Sequence, residues 1–192
     1  MTVADAAGAA FPAELAGRAR RVRLLLFDVD GVMTDGTILL DADGRESKRF
    51  SIKDGTALVW ARQAGLLTGV LSARSAAATT ERARQLGMAI VRQQATDKAA
   101  AFAEILAEQQ LEADAVAYMG DDLMDLPVLR QAGLSAAPAD AAEAVRARVH
   151  FVSRLPGGAG AVRELIEGVL AAQGHWPDIA ARYGLGSPGD GR

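Results

Sequence analysis

Four groups of residues have the types and spacing to do chemistry together. Asp28-Val29-Asp30-Gly31-Val32-Met33-Thr34-Asp35 sets two carboxylates two positions apart, directly after an apolar run. Ser72 closes a second apolar run, Leu66 to Leu71. Lys98 stands at the start of a helical pattern, and Gly120-Asp121-Asp122, with Asp125 one turn further on, follows the run Ala115 to Met119. Carboxylates from two strand ends make an oxygen-rich site that suits a hard cation such as Mg²⁺. Without a cation, three or four packed acids repel strongly. Lys98 adds a second positive charge and Ser72 a hydroxyl donor. Cation, lysine and hydroxyl together match what the three equatorial oxygens of a phosphoryl group need as their charge redistributes. One carboxylate can attack phosphorus, and one two residues on can donate and accept a proton.

These groups need a scaffold that brings strand ends together. Val22 to Phe27 reads as a buried strand followed by a loop. Thr37 to Leu40 and Ser47 to Ile52 read as two short strands joined by the turn Asp41-Ala42-Asp43-Gly44, a hairpin. Helices are expected at Thr56–Ala64, Ala76–Leu86, Asp97–Gln110, Leu123–Ala132, Ala139–Arg148 and Ala161–Gln173, several closed by glycine. Strands are expected at Leu66–Leu71, Met88–Val91, Ala115–Met119, Leu134–Ala136 and Val149–Val152. Strands alternating with helices of this length mean βαβ units and a mainly parallel sheet, a Rossmann-like three-layer α/β domain. Such sheets bind ligands at the carboxyl ends of their strands, where all four groups fall. The expected organisation is a mobile N-terminal arm at 1–20, one catalytic domain at 21–173 and a flexible tail at 174–192.

Composition narrows the function classes. The chain has 192 residues, which suits a single domain, and half of them are hydrophobic, enough for a sizeable core. With 21 basic and 24 acidic residues the net charge is −3, and no basic run exceeds the Arg18–Arg23 cluster, so nucleic acid is a poor partner. There is no cysteine, which excludes disulfides, thiolate metal sites and a cysteine nucleophile. No apolar stretch is long enough to cross a membrane and no secretory signal is read, so the expected setting is the cytoplasm. His150 and His175 sit in no acidic cluster and read as structural or surface residues.

The sequence resembles the haloacid dehalogenase superfamily phosphatases over roughly residues 22–172. Asp28-Val29-Asp30-Gly31 with Val32-Met33-Thr34 resembles the first motif of that family, and Ser72, Lys98 and Gly120-Asp121-Asp122-Leu123-Met124-Asp125 resemble the second, third and fourth, in order. The resemblance implies that Asp28 is the nucleophile and Asp30 the general acid/base. It implies Mg²⁺ held by Asp28, the backbone carbonyl of Asp30, and Asp121. Ser72 and Lys98 are implied as phosphoryl clamps, with Asp122 or Asp125 orienting Lys98 or the metal's waters.

Superfamily members often carry a cap domain after the first or the second motif. Here a hairpin, a helix and a strand fill the first gap, and a helix, a short strand and a loop fill the second. No cap is expected. That layout is similar to the capless phosphatases of 3-deoxy-D-manno-octulosonate 8-phosphate, an intermediate of lipopolysaccharide sugar synthesis. Phe50-Ser51-Ile52-Lys53-Asp54-Gly55, Ser72-Ala73-Arg74 and Gly157-Gly158-Ala159-Gly160-Ala161-Val162-Arg163-Glu164 carry the likeness. It implies a homotetramer in which hairpins pair and neighbouring subunits close each site. It also implies substrate contacts from Asp30, Lys53, Asp54, Gly55, Arg74, Arg82 and Lys98. The chain departs from the family at Lys53 and Ala159, where arginine is usual, and at Val59, where a basic residue is common. The alternatives are a phosphatase for a nine-carbon keto-sugar-acid phosphate and a non-catalytic receiver-like domain. The order of the acidic groups along the chain speaks against the receiver.

Overall fold

A computed structural model describes residues 11–184. After a 3₁₀ turn at Ala13–Leu15, helix α1 spans Ala16–Ala19 and strand β1 Leu24–Phe27. A two-stranded hairpin follows, β2 (Leu39–Leu40) and β3 (Glu46–Ser47). Then come α2 (Ile52–Gln63), β4 (Leu67–Leu71), α3 (Ala77–Leu86), β5 (Ile90–Arg92) and α4 (Lys98–Gln109). The chain continues through β6 (Val116–Met119), a 3₁₀ turn at Leu123–Asp125, α5 (Leu126–Leu129), β7 (Leu134–Ala137), α6 (Glu143–Arg146) and β8 (Phe151–Val152). Helices α7 (Ala161–Ala172) and α8 (Trp176–Arg182) end it.

Six strands form one sheet in the order β5-β4-β1-β6-β7-β8, every pairing parallel. β1 is central, paired Leu24↔Leu67 on one side and Leu24↔Val116 on the other. All four of its residues are fully buried. A two-residue period sends them to opposite faces. Leu25 and Phe27 join the core under α1, α2, α3, α7 and α8, and Leu24 and Leu26 join the core under α4, α5 and α6. Burying each of these side chains is worth about 1.5–3 kcal/mol. The result is the expected three-layer α/β domain, with no inserted cap among the described residues.

The hairpin stands apart from the sheet. Its turn is fixed by Asp41, whose Oδ1 accepts from the backbone N–H of Asp43 and Arg45 at 2.9 and 2.8 Å, and Gly44 takes φ 76°. The expected strand Ser47–Ile52 is shorter, because Ser51 caps a helix that starts at Ile52 rather than Thr56. Two expected helices are also cut back. At 123–132 the Asp125 side chain folds back on the backbone and leaves a 3₁₀ turn before α5. At 139–148 the N–H groups of Ala139 and Ala142 go to Leu155 and Asp121 carbonyls instead of starting a helix.

The flanking segments are described only in part. Residues 1–10 and 185–192 lie outside the described residues. Within the expected arm, Leu15 and Ala19 are buried in the core, and Phe11 packs on Phe151 with ring centroids 5.2 Å apart. Within the expected tail, α8 buries Trp176, Ile179 and Ala180, and Trp176 meets Trp60 edge-on at 5.9 Å. Within residues 11–20 and 174–184, these side chains pack on the domain. Too few apolar residues at helical spacing lie in either to reveal this from pattern alone.

Candidate active site

The carboxyl ends of β1, β4 and β6 open into one cleft of about 270 Å³, lined by Asp28, Asp30, Ser72, Arg74, Lys98, Asp121 and their neighbours. Asp28 is the first residue past β1, and its N–H is held by the Met119 carbonyl at 3.0 Å. The loop after it turns on Val29, whose carbonyl accepts from Met33 and Thr34. Thr34 Oγ1 in turn accepts from Gly36 N–H at 3.2 Å. Gly157 and Gly158 press on this loop so closely that a Cβ on Gly157 would lie 1.9 Å from the Gly31 carbonyl oxygen. The Gly158 N–H donates to the Val32 carbonyl at 2.9 Å.

Lys98 begins α4 behind its cap Asp97, and its ammonium is buried. It donates to Asp125 Oδ1 at 2.7 Å and stands 3.0 Å from Asp28 Oδ1. An ammonium has three donors, so one remains for a ligand. Burial opposes charge on Lys98, but the Asp28 and Asp125 carboxylates outweigh it and hold its pKa above the usual lysine value. Asp125 is fully engaged. Its Oδ1 also accepts from the buried Tyr118 hydroxyl, and its Oδ2 accepts from the Asp121 and Asp122 N–H groups at 3.0 and 3.2 Å. Asp125 thus holds Lys98 and shapes the Asp121 loop, while Asp122 turns outward and caps Leu123.

One oxygen from each of Asp28, Asp121 and Asp125 lies within 4.8 Å of the others. Burial pushes the Asp28 carboxyl up to about 6, against Lys98 and with a further push from Asp125. Burial, then the charges of Asp28 and Asp125, push Asp121 up to about 7. The donor set therefore carries more negative charge than its surroundings balance, and all its ligand atoms are hard oxygens. Those are the properties of a Mg²⁺ site. Since four protein donors already occupy Asp125, Asp28 and Asp121 are the carboxylates free to serve a cation.

Ser72 is the first residue past β4 and is buried, with Oγ accepting from the Arg74 N–H at 3.3 Å. Asp30, Ser72, Arg74, Lys98 and Asp121 are thus all brought to Asp28. Four expected substrate contacts are not. Asp54 is buried away from the cleft and accepts from Gly160 and Arg163 N–H at 3.3 and 2.9 Å, capping α7. Burial raises its pKa, and the two N–H donors work against that. Gly55 is a close-packing position, where a Cβ would meet Arg82 Nη2 at 2.2 Å. Arg82 reaches the Ser51 carbonyl at 3.4 Å. Lys53 lines a separate cleft of about 470 Å³ with Arg154, Ala159 and Arg163. The physical reason is the early start of α2, which puts 52–55 in its first turn, with Asp54 against α7 and Gly55 against Arg82 of α3. The Asp30 side chain is also absent from the three-acid cluster.

The cleft holds groups the sequence reading missed. Lys48 pairs with Asp30 Oδ1, and Tyr118 supports Asp125. Glu46 and Lys48 alternate at a strand edge, which puts both on one side, and a tyrosine inside an apolar strand needs a buried partner. Both were available signals.

Residues 86–163 match the family model described as haloacid dehalogenase-like hydrolase. The 3-deoxy-D-manno-octulosonate 8-phosphate phosphatase KdsC of Yersinia pestis is 42% identical over 156 residues, covering 81% of this chain and 83% of that protein. The chain belongs to the KdsC phosphatase family. Among solved KdsC-family structures, that from Moraxella catarrhalis, in complex with magnesium ion, phosphate ion and KDO, is 34% identical with a TM-score of 0.87, covering 88% of this chain and 98% of that one. The cobalt-bound form of the Haemophilus influenzae phosphatase is 32% identical with a TM-score of 0.83, covering 87% and 98%. The KdsC family is one of phosphoric monoester hydrolases, so the non-catalytic receiver reading is not favoured.

Proposed function

We propose that this chain hydrolyses 3-deoxy-D-manno-octulosonate 8-phosphate to the free sugar acid and inorganic phosphate, with Mg²⁺ as cofactor. The observation that carries this reading is the convergence of Asp28, Asp30, Ser72, Lys98 and Asp121 on one cleft, in a chain of this family. An Asp28 oxygen forms a bond to phosphorus as the bond from phosphorus to the sugar oxygen breaks, leaving an aspartyl-phosphate. Asp30 gives its proton to that departing oxygen. It then takes a proton from the water that attacks phosphorus, and the Asp28–phosphorus bond breaks to release phosphate. Lys98 and Ser72 hold phosphoryl oxygens throughout. Asp28, Asp121 and the Asp30 carbonyl would hold the metal. Bound Mg²⁺ neutralises the carboxylates and polarises the phosphoryl oxygens.

Arg74 suits the carboxylate end of the sugar acid. The active form is a homotetramer in the cytoplasm, in which a neighbouring copy supplies the basic cleft at Lys53. Support comes from the exposed apolar residues Ile38, Leu39 and Leu40 on the hairpin and Ile52, 77% exposed, at the start of α2. Among the described residues no helix is long and apolar enough to cross a membrane. Phosphate release with Mg²⁺ across a panel of sugar phosphates tests the substrate. A preference of several hundred-fold for the octulosonate 8-phosphate over the nonulosonate 9-phosphate, about 3 kcal/mol, is expected. Flat activity overturns the assignment. A monomer mass in light scattering at micromolar concentration overturns the tetramer.

A further inference from the structure

The hairpin reaches back into its own chain's cleft. Glu46 and Lys48 lie two residues apart, on the side of the hairpin that faces Asp30. The Lys48 side chain is only 2% exposed, and its ammonium bonds Asp30 Oδ1 and stands 2.8 Å from Glu46 Oε1. The other Glu46 oxygen binds Arg74 Nη2 at 2.6 Å. Glu46 therefore ties together the hairpin, Lys48 and the loop after Ser72. The two Asp30 oxygens end up in different states. Oδ1 is taken by Lys48. Oδ2 is buried with no hydrogen-bond partner, and the nearest cation, Arg74 Nε, is 3.6 Å away.

An unpartnered buried carboxylate oxygen is costly and calls for a role. Asp30 lies in the turn just past β1, where no strand pairing fixes its side chain, and Lys48 and Arg74 are the cations beside its carboxylate. A general acid contributes only if its proton-bearing oxygen points at the departing atom. Lys48 supplies that direction by fixing one oxygen and leaving the other without a partner, beside Arg74 at the lining of the cleft.

We infer that Lys48 is the positioning residue for Asp30, and that Glu46 holds Lys48 in place, so that the hairpin completes proton transfer within its own chain. Oδ2 is then the oxygen that gives its proton to the departing group and later takes one from water. The inference rests on the acid/base role proposed above for Asp30. It does not depend on which sugar phosphate is native.

The test is leaving-group dependence. Lys48→Met removes the charge and keeps the length, and Lys48→Arg restores the charge. The probes are phosphate monoesters from p-nitrophenyl phosphate, whose leaving group needs no proton, to simple alkyl phosphates, which need one, with octulosonate 8-phosphate included. For each, kcat/KM reports the steps through cleavage of the ester bond. In Lys48→Met the alkyl esters should lose about 100-fold in kcat/KM, and p-nitrophenyl phosphate less than about 3-fold. Lys48→Arg should recover part of the loss. Glu46→Gln should show the same leaving-group dependence, with a loss of about 10-fold, and it carries the test if Lys48→Met does not fold. An equal loss across the series, or no loss, overturns the inference. Asp30→Asn run on the same series separates the two readings. Without leaving-group dependence there, the acid role of Asp30 itself fails. If the wild type ignores octulosonate 8-phosphate but hydrolyses other alkyl esters, only the substrate assignment fails.

Discussion

The cleft at Asp28 and the cleft at Lys53 are both charged, and they are built in opposite ways. In the first, each charged group is braced by a different element. Lys98 comes from α4, Asp125 and Tyr118 from the end of β6 and the turn after it, and Asp28 from the end of β1. All four are buried. In the second, the pairs lie nearer the surface. Arg163 pairs with Glu167 one turn along α7 at 2.6 Å and lies over the Trp60 ring at 4.8 Å. Arg154, 71% exposed, pairs with the buried Glu164 at 2.6 Å. Lys53 is exposed. Cross-bracing between elements fixes distances, which chemistry at phosphorus requires. Pairs at the surface leave side chains free to meet something that arrives from outside, and exposed pairs of that kind add little stability.

Substitutions can break this contrast in graded steps. Asp28→Asn replaces the attacking carboxylate with a neutral amide of the same shape. Phosphate release should fall by about 10⁴-fold or more, equivalent to over about 5 kcal/mol, with an unchanged circular dichroism spectrum. Full activity would remove Asp28 from the mechanism. Gly157→Ala drives a Cβ into the Gly31 carbonyl, a backbone neighbour that cannot swing aside. Urea denaturation should show a loss of about 3 kcal/mol or more, and activity should fall with it. Metal addition probes the first cleft alone. At a hundred times its dissociation constant, Mg²⁺ should stabilise the fold by about 2.7 kcal/mol, a melting shift of about 5–10 °C, and Asp121→Asn should erase that shift. An unshifted wild type would count against the carboxylate site. The mildest change is Lys53→Ala. It should raise KM for the sugar acid phosphate about 10-fold, worth about 1.4 kcal/mol, and leave p-nitrophenyl phosphate turnover untouched. Loss on both substrates would show that the second cleft is not merely a substrate contact.

The sheet was legible because β1, β4 and β6 are apolar runs that each end on a chemically distinctive residue. The sequence alone places Asp28, Ser72 and Asp121 at one edge, since parallel strands put their carboxyl ends together. Lys98 followed from its place at a helix start. What stayed hidden depends on side chains crossing between distant segments. The capping of α7 by Asp54 needs residues 160 and 163 to arrive beside residue 54, and no local pattern encodes that. Arg82, a substrate contact by family likeness, packs over Gly55 in this chain, a contact no local pattern encodes. The seating of α8 against Trp60 was hidden for the same reason, because it rests on aromatic contacts between segments far apart in the chain.

The Gly157–Gly158 turn carries a consequence for the order of assembly during synthesis. The loop bearing Asp28 and Asp30 is made first, and the backbone that props it, through Gly158 N–H and the close face of Gly157, is made much later. Closing such a distant contact has an entropic cost that grows with the intervening length. A nascent chain can pair β1 with β4 and β6 before that prop has left the ribosome. It becomes a phosphatase only after the turn has emerged, so a chain stalled short of residue 158 would carry every acidic residue of the cleft and still lack the support that shapes it.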